Sequence, residues 1–228
     1  MSDFRPSGFS VLPTVVKNLL IINLIFFLAK IAADTTLHID LDKYLGLHYI
    51  GASDFQPYQL VTYMFMHGSF GHLFFNMFAL WMFGNTLENV WGPKKFLLFY
   101  FVCGIGAGIA QEIVQYIQYL TTWENFEFVK TLGGIIPMDE FLNQLITVGA
   151  SGAVYGILLA FGMMFPNSRI YIYFAIPIKA KWFVLIYGVL ELFAGITSND
   201  SVAHFAHLGG MLFGLILILY WKKKGNLY

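Results

Sequence analysis

The sequence predicts an all-α membrane protein, a bundle of six transmembrane helices with both termini in the cytosol. Three observations carry that prediction. Of 228 residues, 58% are hydrophobic and 11% are charged, whereas soluble chains carry roughly 25% charged residues. Long stretches hold no charged residue at all, namely Phe55 to Leu87, Phe96 to Gln111, Phe141 to Ser168 and Ser201 to Trp221. A bilayer is spanned by roughly 20 apolar residues, so several helices must cross. The remaining charges are sorted by place rather than by sign, because thirteen Lys and Arg balance thirteen Asp and Glu. No net field favours nucleic acid as a partner; membrane lipid is the partner the composition demands.

Taken in order, the predicted spans are about Thr14 to Ala32, His72 to Val90, Lys95 to Gln118, Ser151 to Phe165, Lys181 to Ile196 and Ser201 to Trp221. Each ends near a charge or at a Gly, Pro or Asn break. The first lacks a small-residue cleavage site with a polar chain behind it, so it is read as a retained span rather than a signal peptide. Threading the chain from a cytosolic N-terminus places Arg5, Lys17, Lys94, Lys95, Arg169, Lys179, Lys181, Lys222, Lys223 and Lys224 on one side. Basic residues mark the cytosolic side. Opposite lie Asp34, Asp40, Asp42, Asp54, Glu124, Glu127, Asp139, Glu140 and Asp200, accompanied by Lys43 and Lys130. The whole chain, 1–228, reads as a single transmembrane domain without internal repeats.

Two outer connections are long. The one from Asp34 to Gly71 ends in Tyr58-Gln59-Leu60-Val61-Thr62-Tyr63-Met64-Phe65-Met66, too apolar for a free loop. It is expected to lie in the interface or dip into the membrane, shielded by protein. The other, Thr121 to Thr147, is polar, contains Gly133-Gly134 and Pro137, and reads as an ordinary external loop. The single cysteine, Cys103, can form no internal disulfide.

Polar groups inside a bilayer are expensive, so those that persist point to function. They form three clusters: His67, His72 and Asn76 at the entry of the second span; Gly149 to Gly156 at the start of the fourth; His204 and His207 near the start of the sixth. All sit at the outer ends of their helices and share a depth. His72 and Asn76 are four residues apart and face one way. Ser151 opens a helix, where free N–H groups and the positive dipole end favour developing negative charge. Gly152 and Gly156 on the fourth span, with Gly210 and Gly214 on the sixth, are small-xxx-small pairs that permit close backbone approach. Tyr155, one turn below Ser151, could pack against the His207 imidazole. A Ser with a His base and nearby donors is the equipment of acyl transfer. No carboxylate is expected at the depth of His207. Glu191 lies in the fifth span, toward its middle or outer half, and is not enrolled, so the reading is a dyad.

These motifs resemble the rhomboid family of intramembrane serine proteases. The resemblance rests on His72-Leu73-Phe74-Phe75-Asn76 as HxxxN, Gly149-Ala150-Ser151-Gly152 as GxSG, and Ala206-His207-Leu208-Gly209-Gly210 with Gly214 as AHxxGxxxG. It covers nearly the whole chain. It implies a Ser151 nucleophile, a His207 base, and an oxyanion site from His72, Asn76 and the Ser151 N–H, with Gly149, Gly152 and Tyr155 in support. It implies further that Tyr155 packs on the imidazole and that the fifth span is a mobile gate. One departure stands out: Tyr58-Gln59 occupies the place of a Trp-Arg pair common in the family. Glu88, in Leu87-Glu88-Asn89-Val90-Trp91-Gly92, looks like a structural acid that caps or pairs.

The expected activity is an endopeptidase that cuts peptide bonds in or beside transmembrane helices near the outer face, through an acyl-enzyme, with no cofactor and no metal. Its partners are transmembrane-helix substrates; composition fixes no oligomeric state. A metal site would require an HExxH helix or a carboxylate and cysteine set, which the sequence lacks. A transporter would require paired intramembrane charges or broken helices in two repeated halves. A silent helix-binding relative would not be expected to keep both Ser151 and His207. His67 and His204 are expected to be cavity-lining or structural. A bacterial plasma membrane is the expected location.

Overall fold

The computed structural model describes residues 10–131, 133–172, 175–197, 202–225 and 227. Helix α1 (Thr14–Ala32) runs on through a π-helical turn at Ala33–Leu37. It has no polar cap of its own, since Pro13 precedes it. Glu88 supplies the missing acceptors: its two carboxylate oxygens take the Val15 and Val16 N–H groups at 2.9 and 2.8 Å. A carboxylate at a helix N-terminus satisfies orphan donors and complements the dipole. Asn85 and Asn89 bind the chain just before it through the carbonyls of Val11 and Ser10.

The segment expected as the second span is one helical run interrupted by a π-helical turn. Short helices α2 (Asp42–Leu45) and α3 (Gln59–Thr62) lie in the connection before it. Helix α4 (Phe70–Ala79) passes through a π-helical turn at Leu80–Gly84 into α5 (Asn85–Trp91). It starts two residues before the expected His72, because the Ser69 hydroxyl accepts the His72 N–H at 3.1 Å and caps the helix. Gly92, at φ 79°, turns the chain, and Pro93 opens α6 (Pro93–Gln118). A short helix, α7 (Met138–Asn143), lies in the second outer connection. Helix α8 (Ser151–Met164) is the shortest of the large apolar helices. After it come α9 (Ala180–Thr197) and α10 (His204–Lys223). The expected start of the last span at Ser201, and the side markers Arg5 and Asp200, lie outside the described residues.

Among the described residues four helical runs are long and apolar enough to cross a membrane: Thr14–Leu37, Pro93–Trp123, Ala180–Thr197 and His204–Lys223. Their unburied faces carry Ile21, Leu24, Ile25 and Leu28 on α1 and Leu185, Val189, Leu190 and Phe193 on α9, as a lipid-facing surface requires. Helix α8 instead buries Gly152, Ala153, Val154, Gly156, Ile157, Leu158, Ala160 and Gly162. It is the centre of the bundle, clasped by α6 and α10. Glycine makes that possible. A Cβ at Gly152 would stand 2.2 Å from the Ala107 Cβ, one at Gly210 would stand 1.9 Å from the Gly152 carbonyl oxygen, and one at Gly156 would stand 2.4 Å from the Cys103 Sγ. The small residues pair α8 with α10 as the sequence suggests, and α6 joins them through Cys103 and Ala107.

The outer connections are more ordered than the sequence implies. Strand β1 (Leu47–His48) of the first pairs antiparallel with β4 (Ile146–Thr147) of the second. Between them, where an ordinary loop is expected over 121–147, stand the hairpin β2 (Phe128–Thr131) and β3 (Gly134–Pro137) and the helix α7. Leu142 of α7 packs with Tyr49 and Ala52 of the first connection. The reason is cross-connection pairing, which no single segment reveals. A further hairpin, β5 (Arg169–Ile172) with β6 (Ile176–Lys179), joins α8 to α9.

In the first connection Gln59 is buried and uses both ends of its amide. Its oxygen accepts from the Gln56 and His48 N–H groups at 3.0 and 3.3 Å, and its nitrogen donates to the carbonyls of Asp54 and Tyr44 at 3.1 and 3.4 Å. The side chain therefore ties four backbone segments, while Tyr58 stays exposed.

Candidate active site

The site is assembled at the first turns of α8 and α10. Backbone N–H groups at such a turn lack an intrahelical acceptor. Ser151 is the first residue of α8, and its Oγ lies 2.8 Å from the His207 Nε2 on α10. The contact follows from the glycine packing, which lets α8 and α10 approach to backbone distance at Gly152 and Gly210. The imidazole of His207, 8% exposed, stacks on the Tyr155 ring with centroids 4.3 Å apart and planes within 4°.

On the opposite side of Ser151 stands α4. His72 approaches through Gly149, whose φ is +128° and whose absent Cβ would lie 2.7 Å from the His72 Cε1 and Nε2. Glycine is needed there twice, once for the backbone and once for the space. The Gly149 N–H is tied to the Tyr63 carbonyl at 2.9 Å, which fixes the turn. Asn76 is buried, and its Nδ2 donates to the His72 carbonyl at 3.0 Å. The fully buried His67 packs edge-on against His72, centroids 5.0 Å apart. Burial, and then the neighbouring His72, lower the His67 pKa to about 4. The His67 carbonyl accepts from Lys30, which also forms an ion pair with Asp42.

The structure corrects the expectation that no carboxylate reaches His207. Glu191 of α9 does: its Oε2 lies 2.8 Å from the His207 Nδ1 and 2.7 Å from the His204 Nδ1. Its Oε1 accepts a hydrogen bond from the Tyr155 hydroxyl. An ionised carboxylate only accepts, so this contact is a hydrogen bond in the form of His207 that carries a proton on Nδ1, the form that leaves Nε2 as the acceptor facing Ser151. The sequence offered one signal for this residue. Glu191 is the only acidic residue of α9, and a lone carboxylate in an apolar helix is too costly to be idle. What the sequence could not provide was the rotation of α9 about its axis.

Glu191, His204 and His207 could each give one ligand atom to a cation, since these atoms lie within 4.8 Å of one another. Hydrogen bonding of two ring N–H groups to one carboxylate oxygen already accounts for that convergence. Chemically, the arrangement offers a hydroxyl beside a basic nitrogen, with a histidine, an amide and free helix N–H groups nearby.

Comparison with known proteins locates this arrangement in a family. The chain is 29% identical over 161 residues to Rhomboid protein 1, mitochondrial, of Saccharomyces cerevisiae, covering 70% of this chain and 40% of that protein. It is 28% identical over 181 residues to Rhomboid-like protease 3 of Toxoplasma gondii, covering 79% and 58%. To the rhomboid-family protein YdcA of Bacillus subtilis it is 28% identical over 182 residues, covering 78% and 75%. The profile of the rhomboid domain matches residues 54–224, which takes in α3 through α10 and with them His67, His72, Asn76, Ser151, Tyr155, Glu191, His204 and His207, while Lys30 and Asp42 lie before it. The chain belongs to the rhomboid family of integral membrane proteins.

Proposed function

We propose that this protein is an intramembrane serine endopeptidase that cleaves transmembrane-helix substrates near the outer membrane face. The observation that carries the reading is the 2.8 Å contact between the Ser151 Oγ and the His207 Nε2 at a helix N-terminus. In this reading His207 takes the Ser151 proton as the oxygen attacks the scissile carbonyl. His72, Asn76 and the Ser151 N–H face the oxyanion. His207 then returns the proton to the departing amine, leaving an acyl-Ser151 ester that water hydrolyses by the same route. No cofactor enters the scheme.

The same reading makes α1, the 70–91 run, α6, α8, α9 and α10 six spans with cytosolic termini. It is supported by the cytosolic sorting of basic residues. A bacterial plasma membrane is the proposed host, and the similarity to the Bacillus subtilis relative is compatible with it. Because a helical peptide bond is shielded by its own hydrogen bonds, favoured substrates carry Gly, Pro or other helix-weakening residues near the cut; the resemblance to the rhomboid family adds a small residue before it.

The test is cleavage of a fluorescent transmembrane-helix substrate by the detergent-purified chain, its Ser151→Ala and His207→Ala variants, and a chelator control. Loss in both variants with indifference to chelator is the expected outcome; cleavage by folded Ser151→Ala overturns the reading.

A further inference from the structure

The geometry points to Glu191 as the positioning residue for His207, completing a Ser151–His207–Glu191 relay in which the acid is carried by a different helix from the other two. The inference rests on the serine-peptidase reading above and goes beyond its two-residue form. Three observations carry it. The contacts form one line, with Ser151 Oγ 2.8 Å from His207 Nε2 and His207 Nδ1 2.8 Å from Glu191 Oε2. The carboxylate is itself held in place, by the Tyr155 hydroxyl on one oxygen and the His204 Nδ1 on the other. The imidazole plane is fixed independently by the Tyr155 ring beneath it. A base oriented by a third group within hydrogen-bond reach is the general form of an activated nucleophile.

The position of Glu191 on α9 gives the relay a property of its own. The only buried residues of α9 are Ala180 and Val184, both near its start. Next to them an apolar crevice of about 440 Å³ separates α9 from α8 and α10, lined by Leu159, Val184, Gly188, Leu192, Leu208 and Met211. The half of α9 that carries Glu191 is thus held to its neighbours by the polar bonds of that carboxylate and by Gly195, whose absent Cβ would sit 3.1 to 3.2 Å from Phe205 and His204. Any movement that lifts α9 away withdraws the acid from His207. The docked position of α9 and the correct tautomer of the base are one state.

The experiment uses the full chain in detergent and a fluorophosphonate probe, which reacts with an activated serine and needs no knowledge of the natural substrate. In Glu191→Gln, folded as judged by its melting temperature and gel-filtration profile, the rate of Ser151 labelling and kcat should fall about 100-fold or more, as expected when the acid beside a catalytic histidine becomes an amide. KM should stay within about threefold, since the carboxylate touches the base and not the substrate. Labelling and kcat within about threefold of the unsubstituted protein overturn the proposal. Should Glu191→Gln fail to fold, the unsubstituted protein decides the matter through its histidine ¹⁵N resonances, with His207 assigned by their loss in His207→Ala. The proton on Nδ1 supports the relay, and a proton on Nε2 overturns it. Absence of labelling and cleavage in the unsubstituted protein would overturn the serine-peptidase reading itself, and this proposal with it. Full labelling in both the unsubstituted protein and Glu191→Gln would remove Glu191 alone.

Discussion

At the scale of single residues, the site depends on atoms that are missing as much as on those present. Gly149 leaves the space into which the His72 ring is placed. A methyl group there must either push His72 away or distort a backbone at φ +128°, and a displacement of about 1 Å near reacting groups can cost about 100-fold in rate. Gly149→Ala is therefore expected to remain folded while losing about 100-fold in kcat, measured beside its melting temperature. Asn76→Ala should lose less than the hundred- to thousand-fold typical of an oxyanion donor, because His72 and the Ser151 N–H share that role; steady-state kinetics of the single and the His72→Ala, Asn76→Ala double variant check this. His67 imposes a pH dependence of another kind. Its pKa falls from the ordinary 6.5 to about 4 on folding, so the unfolded chain takes up a proton that the folded chain refuses. Its contribution to stability is then complete above pH 6.5 and declines as the pH drops from there toward 4. Unfolding temperatures across that range should fall, and His67→Gln should flatten that fall.

At the scale of elements, the helices are defined by partners distant in sequence. Helix α1 begins where it does because Glu88, at the far end of the second span, receives its first N–H groups. Replacement by alanine leaves both donors without that acceptor, at a cost on the order of 2 kcal/mol. Glu88→Ala is expected to lower the denaturation midpoint in detergent without changing the kinetics of the folded fraction. Gln59 shows the same logic in the outer connection. The sequence marks Tyr58-Gln59 as a departure from the family pattern, and in the structure the glutamine holds β1, α2 and α3 in one piece through its amide contacts.

At the scale of the whole molecule, a short, glycine-rich α8 lies at the centre of longer apolar helices, and its N-terminus holds the Ser151 hydroxyl. His72 and Asn76, Ser151 and Tyr155, Glu191, and His207 come from α4, α8, α9 and α10 in turn, so the proposed chemistry requires all four helices to be docked. Under the proposed function a substrate is cut only after its helix unwinds at the scissile bond, because the peptide bonds of an intact helix are shielded by their own hydrogen bonds. Exchanging the small residue before the scissile bond of a cleaved substrate for a bulky one should abolish cutting, read on a gel; unchanged cleavage would refute the preference.

Read alone, the sequence establishes the membrane class, the approximate position of the long apolar helices, and the identities of Ser151, His207, His72 and Asn76 as the polar residues to be explained. It could do so because charge is costly in lipid, so composition and spacing report burial directly. It also foretold the pairing of α8 with α10, since small residues four apart have little other use in such helices. The remainder depends on contacts between distant segments. The strand pairing of Leu47–His48 with Ile146–Thr147 joins two outer connections far apart in the chain, and neither segment reads as a strand in isolation. The reach of Glu191 depends on how α9 is rotated and tilted against its neighbours, and an apolar helix exposed to lipid on most of its surface carries too weak a periodicity to fix that rotation.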